Sequence, residues 1–70
     1  MMELDCRGMR CPLPIIYLAK ELKKLHPGEE IVLRSDDPAT EPDLRAWSRM
    51  TGHHYKKIAD AEFLITRGSA

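Results

Sequence analysis

The chain has 70 residues, of which 43% are hydrophobic and 31% are charged, and this length predicts one small domain, residues 1–70, with a thin core. Its 11 Lys and Arg residues balance 11 Asp and Glu residues, so we expect no direct nucleic-acid partner and no membrane partner. The longest apolar runs are too short to span a bilayer, and the N-terminus shows no hydrophobic signal region, so the sequence predicts a cytoplasmic protein.

The first part of the chain predicts a strand, a loop and a helix. Residues 2–6 form a short candidate strand, and the loop that follows contains Gly8, which can take backbone angles that other residues resist. Between residues 13 and 25 the apolar side chains recur at helical spacing, which predicts a helix closed by Pro27 and Gly28. The predicted buried stripe of this helix consists of Ile15, Leu18, Ala19, Leu22 and Leu25.

The middle of the chain predicts a second strand and a second helix. Residues 29–35 contain β-branched residues and no breaker, which indicates a central strand. The helix begins near Thr40, which lies three residues before Asp43 in a weak capping box, and it ends before Gly52. Its predicted buried side consists of Leu44, Trp47 and Met50.

The last part of the chain predicts two strands, residues 54–58 and 62–67, around a tight turn at Asp60 and Ala61. The element order is therefore βαβαββ. Right-handed crossovers in this order place both helices on one face of a mixed four-stranded sheet. The predicted fold class is α/β, in the form of an α+β two-layer sandwich.

Cys11 is the strongest candidate for a functional residue. Pro12 and Pro14 would disrupt the interior of a helix but cost little in its first turn, so they mark the helix start. Cys11 then lies at or next to the N-cap, where unpaired N–H groups and the helix dipole favour a thiolate. Arg7 and Arg10 are close enough in sequence to add to this effect. A plainer interpretation stays open, in which Cys11 is a small buried residue beside a helix that prolines begin.

The run Leu-Asp-Cys-Arg-Gly-Met-Arg-Cys-Pro-Leu-Pro at residues 4–14 resembles the signature of the TusA/SirA-like sulfur-carrier proteins. The Cys-Pro-x-Pro element in this setting is quite specific, and the resemblance covers nearly the whole chain. It continues through Gly28-Glu29, Asp37-Pro38-Ala39, Asp43, Trp47, Gly52-His53 and the strand at residues 63–67. The two-layer α/β sandwich of this family agrees with the fold predicted above.

The resemblance implies that Cys11 accepts sulfane sulfur as a persulfide from a donor such as a cysteine desulfurase or a rhodanese, and then passes it to an acceptor protein. Family members serve tRNA thiolation, molybdenum-cofactor assembly and sulfur oxidation, and the sequence does not choose among these routes. The sulfur is carried covalently, so we expect no cofactor. This chemistry fits a carrier better than an enzyme that turns over alone. Asp5 and Gly8 are expected to shape the loop that presents Cys11.

Cys6 has two open interpretations. It is the last residue of the first predicted strand, where it can be purely structural. It also lies five residues before Cys11, so the loop between them could bring the sulfurs together and make Cys6 a resolving thiol. The second interpretation supports an alternative function for the chain, a small thiol-based redox or regulatory interaction module.

Several other polar residues have structural explanations. Zinc binding by the cysteines with His53 and His54 is disfavoured because adjacent histidines lack the usual ligand spacing, so no metal is predicted. Asp37 and Arg67 match family positions but are equally well explained as a turn residue and a solvated strand end. The first helix also carries Lys20, Lys23 and Lys24, which are expected to form a solvated face or, alternatively, a surface for an acidic partner.

Overall fold

The computed structural model describes residues 2–10 and 12–68 of the chain. It contains the predicted order of strands and helices, with small changes at their ends. The elements are β1 (Met2–Asp5), α1 (Leu13–Leu22), β2 (Glu30–Arg34), α2 (Thr40–Thr51), β3 (His54–Ala59) and β4 (Glu62–Thr66). No helix in the described part of the chain is both long and apolar enough to cross a membrane.

The four strands form one mixed sheet in the order β1-β2-β4-β3, with β2 and β4 in the centre. β1 runs parallel to β2, whereas β4 is antiparallel to both β2 and β3. Because β1 and β2 are parallel, their carboxyl ends lie at the same edge of the sheet. The loops that follow these two strands therefore emerge side by side, which positions the site described below.

The core lies between the helices and one face of the sheet. Side chains alternate along a strand, and β2 and β4 direct Ile31, Leu33, Phe63 and Ile65 into this core. Helices α1 and α2 contribute Leu18, Leu22 and Leu44, all essentially buried. The predicted α+β fold with two helices on a mixed four-stranded sheet is confirmed.

Helix α1 is shorter than predicted, because it ends at Leu22 and not at residue 25. The next turn tightens: the N–H of Lys24 donates to the carbonyl of Glu21, and the N–H of Leu25 donates to that of Leu22, each at 3.0 Å. Such bonds to the third preceding residue are typical of a helix end. Leu25 is still buried, so its predicted place in the core is correct.

The prediction for α2 needs two corrections. Met50 is 85% exposed, because the buried side of this helix runs through Thr40 and Leu44, and Met50 lies about 120° around the axis from Leu44. Thr40 does not act as the expected N-cap either. Its hydroxyl is buried and lies 2.6 Å from that of Ser35, while a carboxylate oxygen of Asp37 accepts the N–H of Ala39 at 2.9 Å.

Candidate functional site

The first part of the β1–α1 loop, residues 6–9, is held by two backbone hydrogen bonds. The N–H of Cys6 donates to the carbonyl of Arg34 at 2.7 Å, which extends the β1–β2 pairing by one residue. The N–H of Met9 donates to the carbonyl of Cys6 at 3.1 Å and closes a tight turn. Gly8 occupies the third position of this turn with φ of +85°, where a residue with a side chain would be strained. The prediction that Gly8 shapes the loop therefore has a backbone reason.

The β2–α2 loop braces this turn from the neighbouring strand. A carboxylate oxygen of Asp36 accepts the N–H of Gly8 at 3.0 Å. An open pocket of about 460 Å³ lies between the two loops, lined by Gly8, Met9, Arg10, Asp36, Asp37 and Pro38. Asp36 has no functional role predicted from the sequence. Its position just past the end of a strand parallel to β1 is the signal that could have indicated it.

Cys11 itself lies outside the described residues, but the residues that follow it form the start of α1. Pro12 is the N-cap residue of α1, is exposed, and accepts the N–H of Ile16 on its carbonyl at 3.1 Å. Pro14 is buried in the first helical turn, and no side chain caps the helix start. The N–H of Leu13 donates to the carbonyl of Arg10 at 3.0 Å across Cys11 and Pro12. Both prolines thus stand at the helix start, as the sequence predicts.

The two arginines before Cys11 have different surroundings. Arg7 forms a bidentate ion pair with Asp5, with Nη2 at 2.8 Å from Oδ2 and Nε at 3.0 Å from Oδ1. The hydrogen bonds from Arg7 lower the pKa of the Asp5 carboxyl to about 2. Arg10 is exposed on the rim of the pocket, and no carboxylate of the described residues pairs with it. Of the two cations, Arg10 is the one whose charge no described carboxylate neutralises.

Cys6 is fully buried and belongs to the hydrophobic core. Burial, and secondarily the charge of Asp5, raises the pKa of its thiol, so the neutral form is favoured. A resolving thiol acts as a thiolate and needs access to its partner sulfur. The resolving role stays a prediction, and the surroundings of Cys6 weigh against it.

Helix α1 presents an exposed apolar stripe beside this loop. Leu13, Ile16 and Tyr17 are 45%, 45% and 40% exposed, and the ammonium of Lys20 lies 5.8 Å from the centre of the Tyr17 ring. These residues are not among those predicted from the sequence, where the only apolar residues of this helix with a predicted role are those of the buried stripe. Apolar residues outside the buried stripe are the signal that could have identified them.

His53 and Arg67 are tied into the fold at the opposite end of α1. The Nδ1 atom of His53 accepts the N–H of Gly68 at 2.9 Å, and its ring packs 5.1 Å from that of Trp47. Arg67 is not the solvated strand end that was offered as one explanation. Its guanidinium donates hydrogen bonds to the carbonyls of Leu22 and Leu25. These bonds provide partners for carbonyl groups at the C-terminal end of α1. Within residues 2–10 and 12–68, no group of three or more His, Cys, Asp or Glu side chains is placed to hold a metal ion.

Comparisons with known proteins agree with this fold. The family model described as "Sulfurtransferase TusA" matches residues 2–67. YrkI of Bacillus subtilis (strain 168), provisionally named a sulfur carrier protein, is 36% identical over 69 residues, which cover 93% of this chain and 92% of YrkI. YrkF of the same organism, provisionally named in the same way, is 40% identical over 52 residues, or 74% of this chain and only 28% of YrkF.

A solved structure shows the same architecture. The crystal structure of a SirA-like protein from Desulfitobacterium hafniense superposes with a TM-score of 0.71 at 23% identity, covering 94% of this chain and 93% of that one. At this level of identity the likeness supports the fold alone. The match to the family model over nearly the whole chain, together with the similarity to YrkI along almost its full length, shows that this chain belongs to the TusA/SirA-like family of sulfur-carrier proteins.

Proposed function

We propose that the protein accepts sulfane sulfur on Cys11 as a persulfide and relays it to an acceptor protein. The observation that carries the proposal is the construction of the β1–α1 loop. Its backbone is anchored on β2 and braced by Asp36, and it leads into a helix that starts at Pro12. In the chain, Cys11 is joined covalently to Arg10 of the braced loop and to Pro12, the N-cap residue of α1.

The chemistry requires two thiol–persulfide exchanges. The Cys11 thiolate attacks the outer sulfur of the donor's cysteine persulfide, so that a new S–S bond forms on Cys11 while the donor's S–S bond breaks and the donor cysteine leaves as a thiolate. An acceptor thiolate then attacks the outer sulfur of the Cys11 persulfide and releases the Cys11 thiolate. Sulfur moves at the same oxidation level in each step, so neither an external oxidant nor a cofactor is needed.

The surface beside the loop supports a role in which the protein binds a sulfur donor and then an acceptor. Leu13, Ile16 and Tyr17 offer an exposed apolar contact. Lys20 adds a positive charge over the Tyr17 ring, and Arg10 is an exposed cation of the adjacent loop. Such a surface fits a donor such as a cysteine desulfurase or a rhodanese with an apolar, acidic docking face. The downstream acceptor would belong to tRNA thiolation, molybdenum-cofactor assembly or sulfur oxidation, in the cytoplasm. The chain would act as a carrier that does not turn over alone.

The test is a loading experiment with a cysteine desulfurase and cysteine, read by intact mass under non-reducing conditions. The wild type and Cys6→Ser should each gain the mass of one sulfur atom, and Cys11→Ser should gain none. Cys6→Ser is the matched control because it removes the other cysteine of the chain. Loading of Cys11→Ser would refute the proposal.

The alternative function, a thiol-based redox or regulatory module, predicts a different product. Mild oxidation of such a module would join Cys6 to Cys11 in a disulfide. The burial and raised pKa of Cys6 are the reasons we place this alternative second. Peptide mapping of the oxidised protein distinguishes the two, because a relay protein carries its oxidised sulfur on Cys11 while Cys6 stays a free thiol.

A further inference from the structure

A second pocket of about 300 Å³ lies between the C-terminal ends of α1 and α2. It shares no lining residue with the pocket beside the β1–α1 loop. Its apolar walls include Ala19, Leu22 and Trp47, and no lining residue carries a carboxylate. Its basic lining residues are Lys23, His53 and Arg67.

Arg67 contributes a charge that no described carboxylate neutralises. Its Nη1 donates to the carbonyl of Leu22 at 3.0 Å and also to that of Leu25, and these contacts fix the guanidinium. Its Nε is buried and has no hydrogen-bond partner among the described residues. Each helix C-terminus beside the pocket carries about half a negative charge, so the full positive charges of Arg67 and Lys23 leave a net positive charge at the pocket wall.

His53 lines the pocket and carries an N–H donor. Its Nδ1 accepts the N–H of Gly68, so in the neutral ring the proton is on Nε2. Burial, then the charges of Arg67 and His54, lowers the pKa of His53, which keeps the ring neutral and this tautomer in place. The packing of His53 against Trp47 fixes the orientation of the ring.

Lys23 differs from the other lysines of α1 and its following turn. Lys24 forms an ion pair with Glu21 at 3.3 Å, and Lys20 lies over the ring of Tyr17. Lys23 has no ion pair or ring contact with any described residue, and it lines the pocket. Its ammonium group is therefore available to a ligand.

We propose that this pocket binds a small organic carboxylate. Lys23 and Arg67 supply the positive potential for the carboxylate, His53 supplies an N–H donor, and Leu22 and Trp47 contact the apolar body of the ligand. An aromatic monocarboxylate satisfies all three requirements. This site is separate from the loop that carries Cys11, and the inference does not depend on the sulfur-carrier function.

The test uses benzoate as the probe and NMR as the readout. Trp47 is the single tryptophan of the chain, so its indole N–H gives one resolved signal from the pocket wall. Benzoate should shift this signal saturably at constant ionic strength, acetate should bind more weakly, and the neutral analogue benzyl alcohol should bind more weakly than benzoate. Benzyl alcohol binding as tightly as benzoate would overturn carboxylate recognition, and acetate binding as tightly as benzoate would overturn the apolar contact.

Two neighbouring lysines provide a matched pair of variants. Lys23→Gln removes a charge from the pocket, and removal of one unit charge about 5 Å from an anion in a water-like dielectric predicts about fourfold weaker benzoate binding. Lys24→Gln removes a charge that already pairs with Glu21 and should leave binding unchanged. Circular dichroism establishes that both variants are folded. Equal benzoate affinity in the two variants, or a wild-type shift that never saturates, would refute the site.

Discussion

Asp36→Ala is expected to loosen the loop that presents Cys11. The substitution removes the acceptor that Asp36 holds 3.0 Å from the Gly8 N–H. A hydrogen bond to a charged group contributes about 1.5–3 kcal/mol when protected from water, and the exposure of this one reduces the value to about 1 kcal/mol. That free energy corresponds to about a fivefold change in a local equilibrium. The Gly8 amide should therefore exchange with solvent about fivefold faster in the variant.

The measurement is NMR exchange at the Gly8 amide, followed by the rate of sulfur loading from a cysteine desulfurase. Asp36→Asn keeps a carbonyl oxygen in place and should restore most of the protection of Gly8. Asp60→Ala, in the β3–β4 turn, controls for the loss of an exposed aspartate. If the Gly8 amide exchanges in Asp36→Ala at the wild-type rate, the bracing role of Asp36 is wrong, whatever happens to sulfur transfer.

Three further predictions concern stability. Arg67→Met keeps the apolar stem but loses the hydrogen bonds to Leu22 and Leu25, and the removal of its unpartnered buried Nε offsets part of that loss. A net cost of about 1–2 kcal/mol should lower Tm by roughly 4–16 °C in a domain of this size, and an unchanged melt would contradict the capping role. The pKa of Asp5 is about 2 against an ordinary value of 3.8, so its contribution is present above pH 3.8 and is lost as the pH falls towards 2. Acid unfolding of Asp5→Asn should show a weaker pH dependence in that window, and an identical pH profile would count against the ion pair. For His53 the pKa is lowered from 6.5, so stability should decrease as the pH falls below 6.5, and His53→Gln should remove this component. An NMR titration that gives His53 a pKa above 6.5 would contradict the prediction.

Most of the fold could be predicted from local patterns. Helical spacing in α1, the β-branched run of β2 and the breakers between elements are properties of neighbouring residues, so the order βαβαββ is visible without tertiary contacts. The predictions that were wrong concern features that depend on residues far apart in the sequence. Helix α1 ends at Leu22 and turns to bring its last carbonyls to Arg67, which is about 45 residues along the chain and could not be paired with them by periodicity.

The candidate site also combines features that local sequence predicts with features that depend on tertiary structure. Pro12 and Pro14 indicate a helix start from their own covalent geometry, and the structure places both there. The role of Asp36 depends on the parallel pairing of β1 with β2, which brings a residue 28 positions away to Gly8. Arg7 illustrates the opposite case, because its position two residues from Asp5 allowed an ion pair that the sequence analysis did not consider.

Cys11 shows what the sequence by itself determines about this protein. Its identity as the candidate nucleophile follows from residue type and covalent context, since prolines mark a helix start wherever that helix is packed. The surroundings of Cys6, by contrast, depend on the tertiary structure. Both Cys6 and Arg10 lie near Cys11 in sequence, but the sheet and helices enclose Cys6 in the core and leave Arg10 on the surface. Burial and electrostatic pairing depend on all the elements packed around a residue, and that information is not present in any short segment of the chain.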